Sequence, residues 1–170
     1  MFVLRSPSFE NNGRIPDKYT EKSIVSPPLS WEGVPKGAKS LALVVTDPDV
    51  PEVFNFPRNF FHWVLYDLPP STTSLAEGAS PKGLPAGAKE LDSDFVTFGI
   101  PGFGRGYGGP WPPDAEHRYV FTLYALKAAG LGIPDGADYG QFAQALLPQV
   151  IQSATLVGRY GPAREKLPGT

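Results

Sequence analysis

The residues able to do chemistry are few and fall in three short stretches. Asp47 and Asp49 lie in Asp47-Pro48-Asp49-Val50-Pro51, His62 in Phe60-Phe61-His62-Trp63, and Glu116, His117 and Tyr119 in Glu116-His117-Arg118-Tyr119. His62 and His117 are the chain's two histidines, and it has no cysteine. Two imidazoles, a carboxylate and a phenol together suit a tetrahedral anion. Imidazolium groups donate to its oxygens, while a carboxylate such as Asp47 orients one ring and raises its basicity. The Gly109-Pro110 turn could aim a backbone N–H into the same pocket. For this the strands carrying the two histidines must be neighbours in one sheet.

Other chemistries compete for the same residues. A lone strand histidine is commonly a hydrogen-bonded structural residue. His62 and His117 with Asp47 or Glu116 would also make a 2-His-1-carboxylate metal face. The preferred reading is that the carboxylate orients an imidazole, so no metal and no cofactor are expected. A hydrolase would need Ser26, Ser30 or a metal-bound water as nucleophile, and no serine sits in a recognisable strained elbow. The chain therefore reads as a binding module and not an enzyme. Gly104-Arg105-Gly106-Tyr107-Gly108-Gly109 satisfies G-x-G-x-x-G literally, but Pro110 to Pro113 follow where a dinucleotide site needs a helix.

The elements that must position these groups are mostly strands. Ser40 to Thr46 is an almost continuous apolar run rich in β-branched residues, stopped by Pro48 and Pro51. Phe60 to Leu68 is a second strand, in which simple alternation puts His62, Val64 and Tyr66 on one face and Phe61, Trp63 and Leu65 on the other. Arg118 to Leu126 is a third, with Tyr119, Phe121 and Leu123 sharing a face. Phe2 to Leu4 and Phe95 to Phe98 are minor strand candidates, and Asn12-Gly13 marks a tight turn. Leu75 to Leu91 reads as a long surface loop. Asp138 to Val157 reads as helical, capped by Asp138 and divided at Pro148. Short strands separated by turns, with one or two C-terminal helical segments, make an all-β fold with minor helix. The expected architecture is a two-sheet antiparallel β-sandwich of Greek-key type, in one domain over residues 1–170.

Composition narrows the partners. A net charge of −2 with no block of like charge argues against nucleic acid, whose backbone demands a positive patch. No stretch approaches the ~18 apolar residues of a membrane span, and the start, MFVLRSPSF, lacks the apolar region of a signal peptide. The expectation is a cytoplasmic protein without stable membrane insertion. The 20 prolines and 19 glycines are scattered between apolar runs, which suits stiff turns better than disorder. Trp111, set between prolines, is the aromatic residue most open to contact with a partner.

Asp47-Pro48-Asp49-Val50-Pro51, then His62-Trp63-Val64-Leu65-Tyr66, then Gly109-Pro110-Trp111-Pro112-Pro113 with His117-Arg118-Tyr119 resembles the phosphatidylethanolamine-binding protein family, and within it the prokaryotic Raf-kinase-inhibitor-like branch. Ser26-Pro27-Pro28-Leu29-Ser30-Trp31 and Gly158-Arg159-Tyr160 extend the likeness over nearly the whole chain. The resemblance implies a β-sandwich with an anion-binding pocket at one end, and by motif position its residues fall on Asp47, Pro51, His62, Gly109, Pro110, His117 and Tyr119. It implies small anionic or phosphorylated ligands such as phosphate or phosphoethanolamine-type head groups, with a regulatory role. It also implies kinase or protease partners and a homodimer. The chain departs from the pattern at Asp114-Ala115-Glu116, where the prokaryotic branch usually has a glycine. Glu116 then reads as an extra acid beside His117, and Phe60 stands where a tryptophan is common. The Glu52 to Asn59 insertion reads as a pocket-side loop in which Arg58 adds a cation.

Overall fold

A computed structural model describes residues 1–52 and 59–161. Arg58, most of the Glu52 to Asn59 insertion and the tail beyond 161 lie outside the described residues. The strands are β1 (Val3–Arg5), β2 (Leu29–Glu32), β3 (Ser40–Asp47), β4 (Phe60–Leu68), β5 (Ser74–Leu75), β6 (Lys89–Glu90), β7 (His117–Leu126) and β8 (Val150–Tyr160), and the helices are α1 (Asp94–Thr97) and α2 (Tyr139–Leu146). They build two antiparallel sheets, one ordered β1-β2-β5 and the other β6-β4-β3-β7-β8. The expected mostly-β architecture with a main C-terminal helix is the one observed.

The five-stranded sheet is covered on both faces, which is why β3 is apolar without alternation. Leu41, Leu43 and Val45 join Trp63, Leu65, Phe121 and Leu123 in the core between the sheets, opposite Phe2, Leu4, Leu29 and Trp31. Ala42, Val44, Val64 and Tyr66 face the other way, under Phe142 and Leu146 of α2. Helix α2 is started by a full capping box: the Asp138 side chain accepts from the Gln141 N–H at 2.8 Å, and Gln141 accepts from the Asp138 N–H at 3.0 Å.

Four expectations need correction. The C-terminal helix ends far earlier than Val157: a 3-10 turn over Leu147–Gln149 contains Pro148, and residues from Val150 onward form the eleven-residue strand β8, paired with β7 along its length except at a bulge at Ile151. Phe95 to Phe98 is not a strand: the Ser93 and Asp94 carbonyls accept from the Val96, Thr97 and Phe98 N–H groups and close the single turn of α1. The Asp94 carboxylate ties that turn to β4 by accepting the Phe61 N–H at 2.9 Å. Leu75 to Leu91 is not simply surface. It supplies β5 and β6, and the buried Glu90 accepts from Trp63 Nε1 and Ser80 Oγ, each at 2.6 Å. Finally, alternation along β4 breaks at a bulge. Val45 pairs with Trp63 and Thr46 with Phe61, so His62 is the unpaired extra residue. Phe61 therefore packs beside Val64 and Tyr66, while His62 turns toward Tyr119, ring centres 5.2 Å apart.

Candidate functional site

The ends of three adjacent strands meet at one cavity of about 330 Å³, lined by Asp47 of β3, Phe60 and His62 of β4, and His117 and Tyr119 of β7. The histidine strands are not direct neighbours as expected: β3 lies between them. The bulge in β4 is what lets His62 reach past it. Val50, Phe95, Ile100 and the loop residues Trp111, Pro112 and Pro113 complete a mainly apolar wall.

Asp47 is fixed from two sides. One carboxylate oxygen accepts the Asp49 N–H at 2.8 Å, and the other meets His117 Nδ1 at 2.6 Å. Burial raises the Asp47 pKa, and the hydrogen bond from His117 works against that rise. Asp49 stays outside the cavity, forked to the Arg118 guanidinium at 2.6 and 2.9 Å, so it ties the Asp47–Pro51 turn to β7. Arg118 holds the Asp49 carboxyl below the usual carboxylate range.

The two histidines differ in character. Burial pushes the His62 pKa down to about 4, against the pull of the Gly108 carbonyl. Its Nδ1 lies 2.8 Å from that carbonyl, which can only accept. The proton of neutral His62 is therefore on Nδ1, and Nε2 is left as a lone-pair acceptor. The expectation that both rings act as imidazolium donors is corrected: His62 is neutral at ordinary pH. His117 is buried between two carboxylates, with Asp47 on Nδ1 and Asp114 on Nε2 at 2.7 Å.

Tyr119 is fully buried, and its hydroxyl lies beside the Asp47 carboxylate without a hydrogen bond of normal geometry among the described residues. Burial first, and the Asp47 charge next, push its pKa far above the ordinary phenol value, so it remains a protonated donor. A buried donor so poorly satisfied on a cavity wall is what a ligand oxygen or a water would complete.

Of the seven residues expected in the site, Asp47, His62, His117 and Tyr119 line the cavity, whereas Pro51, Gly109 and Pro110 do not. The Gly109 N–H is spent on the Ser23 carbonyl at 3.0 Å, and the Pro110 carbonyl accepts from Glu21. Gly109 is needed for packing instead: a Cβ there would lie 2.5 Å from the Tyr19 carbonyl oxygen. Glu116 points to Arg159, at 3.7 Å, rather than to His117. Ala115 replaces the usual glycine without a positive φ. The sequence reading missed Phe95, Ile100 and, above all, Asp114, whose i,i+3 spacing to His117 was the available signal.

With the geometry in view, the comparisons are decisive. The family model described as phosphatidylethanolamine-binding protein matches residues 5–161. The chain belongs to the phosphatidylethanolamine-binding protein family. A UPF0098 protein of Methanothermobacter thermautotrophicus is 40% identical over 159 residues, covering 92% of this chain and 97% of that protein. Among solved structures, a putative phosphatidylethanolamine-binding protein homologue, CT736 from Chlamydia trachomatis, is similar with a TM-score of 0.80 and 37% identity, over 95% of this chain and 98% of that one. Escherichia coli YbcL, described as a new member of the mammalian family, has a TM-score of 0.83 and 26% identity, over 95% and 99% of the two chains.

Proposed function

We propose that this protein binds small anionic or phosphorylated ligands in the cavity formed by Asp47, His62, His117 and Tyr119, and that ligand occupancy serves regulation rather than turnover. The observation that carries this reading is the buried Tyr119 hydroxyl, a donor that makes no hydrogen bond of normal geometry, on the wall that also carries the Asp47-oriented His117. A phosphate oxygen can accept from Tyr119, and from His117 Nε2 once the Asp114 carboxylate leaves that nitrogen. Neutral His62 offers Nε2 to a protonated oxygen of the same phosphate. Phe60, Phe95 and Trp111 take an apolar portion of the ligand, and the low local dielectric they create strengthens the polar contacts beside them. Family membership supports ligand binding in general, and these four groups give it a chemistry. Kinase or protease modulation is the second reading, favoured by Trp111, which is 39% exposed at the cavity mouth with Lys22 Nζ 5.6 Å from its ring centre.

Titration of the protein with inorganic phosphate and with phosphoethanolamine, followed through the ring signals of His62 and His117, tests the first reading. Saturable shifts of the His117 ring are expected at millimolar ligand. Rings that stay silent in the wild-type protein overturn it.

A further inference from the structure

The contact between Asp114 and His117 is unlike the others in the cavity. Asp47 holds Nδ1 from within the sheet, but Asp114 reaches Nε2 from the entrance loop, with its side chain still 31% exposed. Hydrogen bonds to both ring nitrogens require two protons shared among three groups. Either the imidazolium lies between two carboxylates, or a neutral ring lies between one carboxylate and one carboxylic acid. Both arrangements carry one net negative charge. In this state His117 has no donor left, and an incoming anion meets like charge.

We propose that Asp114 is a built-in competitor: its carboxylate occupies the anion seat on His117 Nε2, and an anionic ligand binds by displacing it. The inference rests on the anion-binding reading above. When Asp114 leaves as a carboxylate, both protons stay on the ring, and His117 and Asp47 form a neutral ion pair with one N–H facing the cavity. The loop is suited to such a shift. Among the described residues, no turn or loop hydrogen bond between backbone groups falls on residues 113–116, while the adjoining Gly109 and Pro110 are tied down through Ser23 and Glu21. Asp114 thus sets specificity: an anion that accepts no better than a carboxylate gains little by entering, whereas a phosphate brings more charge and more acceptor oxygens.

The test compares inorganic phosphate binding by the wild type, Asp114→Ala, Asp114→Asn and Glu116→Gln, read through the His117 ring signals. Asp114→Ala vacates the seat. Asp114→Asn keeps an acceptor there without the charge. Glu116→Gln removes the same formal charge from a side chain that faces Arg159. The expected result is phosphate affinity raised about tenfold in Asp114→Ala, the scale of one charge-assisted hydrogen bond, with a smaller rise in Asp114→Asn and little change in Glu116→Gln. The His117 ring of ligand-free Asp114→Ala should also shift, reporting loss of the internal contact. Equal affinities for the wild type and Asp114→Ala overturn the competitor while the anion-binding reading survives. An equal rise in Glu116→Gln overturns it in favour of general charge. A response confined to Asp114→Ala supports the competitor and overturns phosphate as the wild-type ligand. Silence in every variant overturns both.

Discussion

His62 makes the most direct prediction, because burial outweighs the backbone carbonyls that favour its charged form. Its pKa falls from the ordinary 6.5 to about 4 in the folded protein, a difference of about 2.5 pH units. At about 1.4 kcal/mol per unit, the folded state disfavours a proton on His62 by about 3 kcal/mol relative to the unfolded chain. Above the ordinary pKa neither state holds that proton, and stability carries no His62 contribution to its pH dependence. As pH falls through 6.5 the unfolded chain takes up the proton and the folded protein does not, so stability drops until the folded ring titrates near 4. The assay is urea unfolding at several pH values between about 7 and about 4.5, for the wild type and His62→Asn, with the stability difference taken at each pH. Asparagine can place an amide N–H near Nδ1 and keep a donor for the Gly108 carbonyl, but it does not titrate. Asp47, Glu90 and Asp94, whose pKa values burial raises, act in the opposite sense, and they cancel to first order because both proteins carry them. The wild type should lose about 2–3 kcal/mol more than the variant across that range. Parallel curves, or a His62 ring midpoint near its ordinary value, refute the reasoning.

Two substitutions separate packing from binding. Gly109→Ala forces a Cβ to within 2.5 Å of the Tyr19 carbonyl oxygen and 2.9 Å of Thr20 Cα, and should cost about 1–3 kcal/mol in urea unfolding while leaving phosphate affinity of the folded protein unchanged. Asp138→Ala removes one half of the capping box and should cost about 1 kcal/mol by the same measurement, with no movement of the His117 ring signals. A loss of ligand binding from either, in protein that remains folded, would show that the site reaches further than the cavity wall.

The central strands were legible because their burial is two-sided. β3 and β7 pair through Ser40 to Thr46, and their apolar runs mark that pairing directly. β8 was not legible for the complementary reason. It is the last strand of its sheet, and Ile151, Gln152 and Ser153 stay exposed, so its sequence carries no continuous apolar run. Val150, Thr155 and Val157 were the β-branched clue, but the helical spacing that precedes Pro148 was carried across it. The bulge in β4 had no local signal. Phe60-Phe61-His62-Trp63 satisfies alternation equally well with or without an extra residue, and the choice is made by pairing with β3 and by the contact of His62 with Tyr119.

The site divides along the same line. Residue types and motif order placed Asp47, His62, His117 and Tyr119, because each lies on a strand or at its end and pairing carries it to a predictable place. The loop contacts were decided by hydrogen bonds that no spacing encodes. Gly109 looked like a donor for the cavity, but its N–H is claimed by Ser23, and the same turn brings it against the backbone of Tyr19 and Thr20. Two acids flank the start of β7, and the nearer in sequence, Glu116, was the expected neighbour of His117. Strand geometry reverses that choice, since adjacent residues in an extended chain project to opposite sides. Glu116 is therefore carried toward Arg159, while Asp114, before the strand begins, is free to fold back onto the ring. The acid that controls the seat on His117 is the one that chain direction permits.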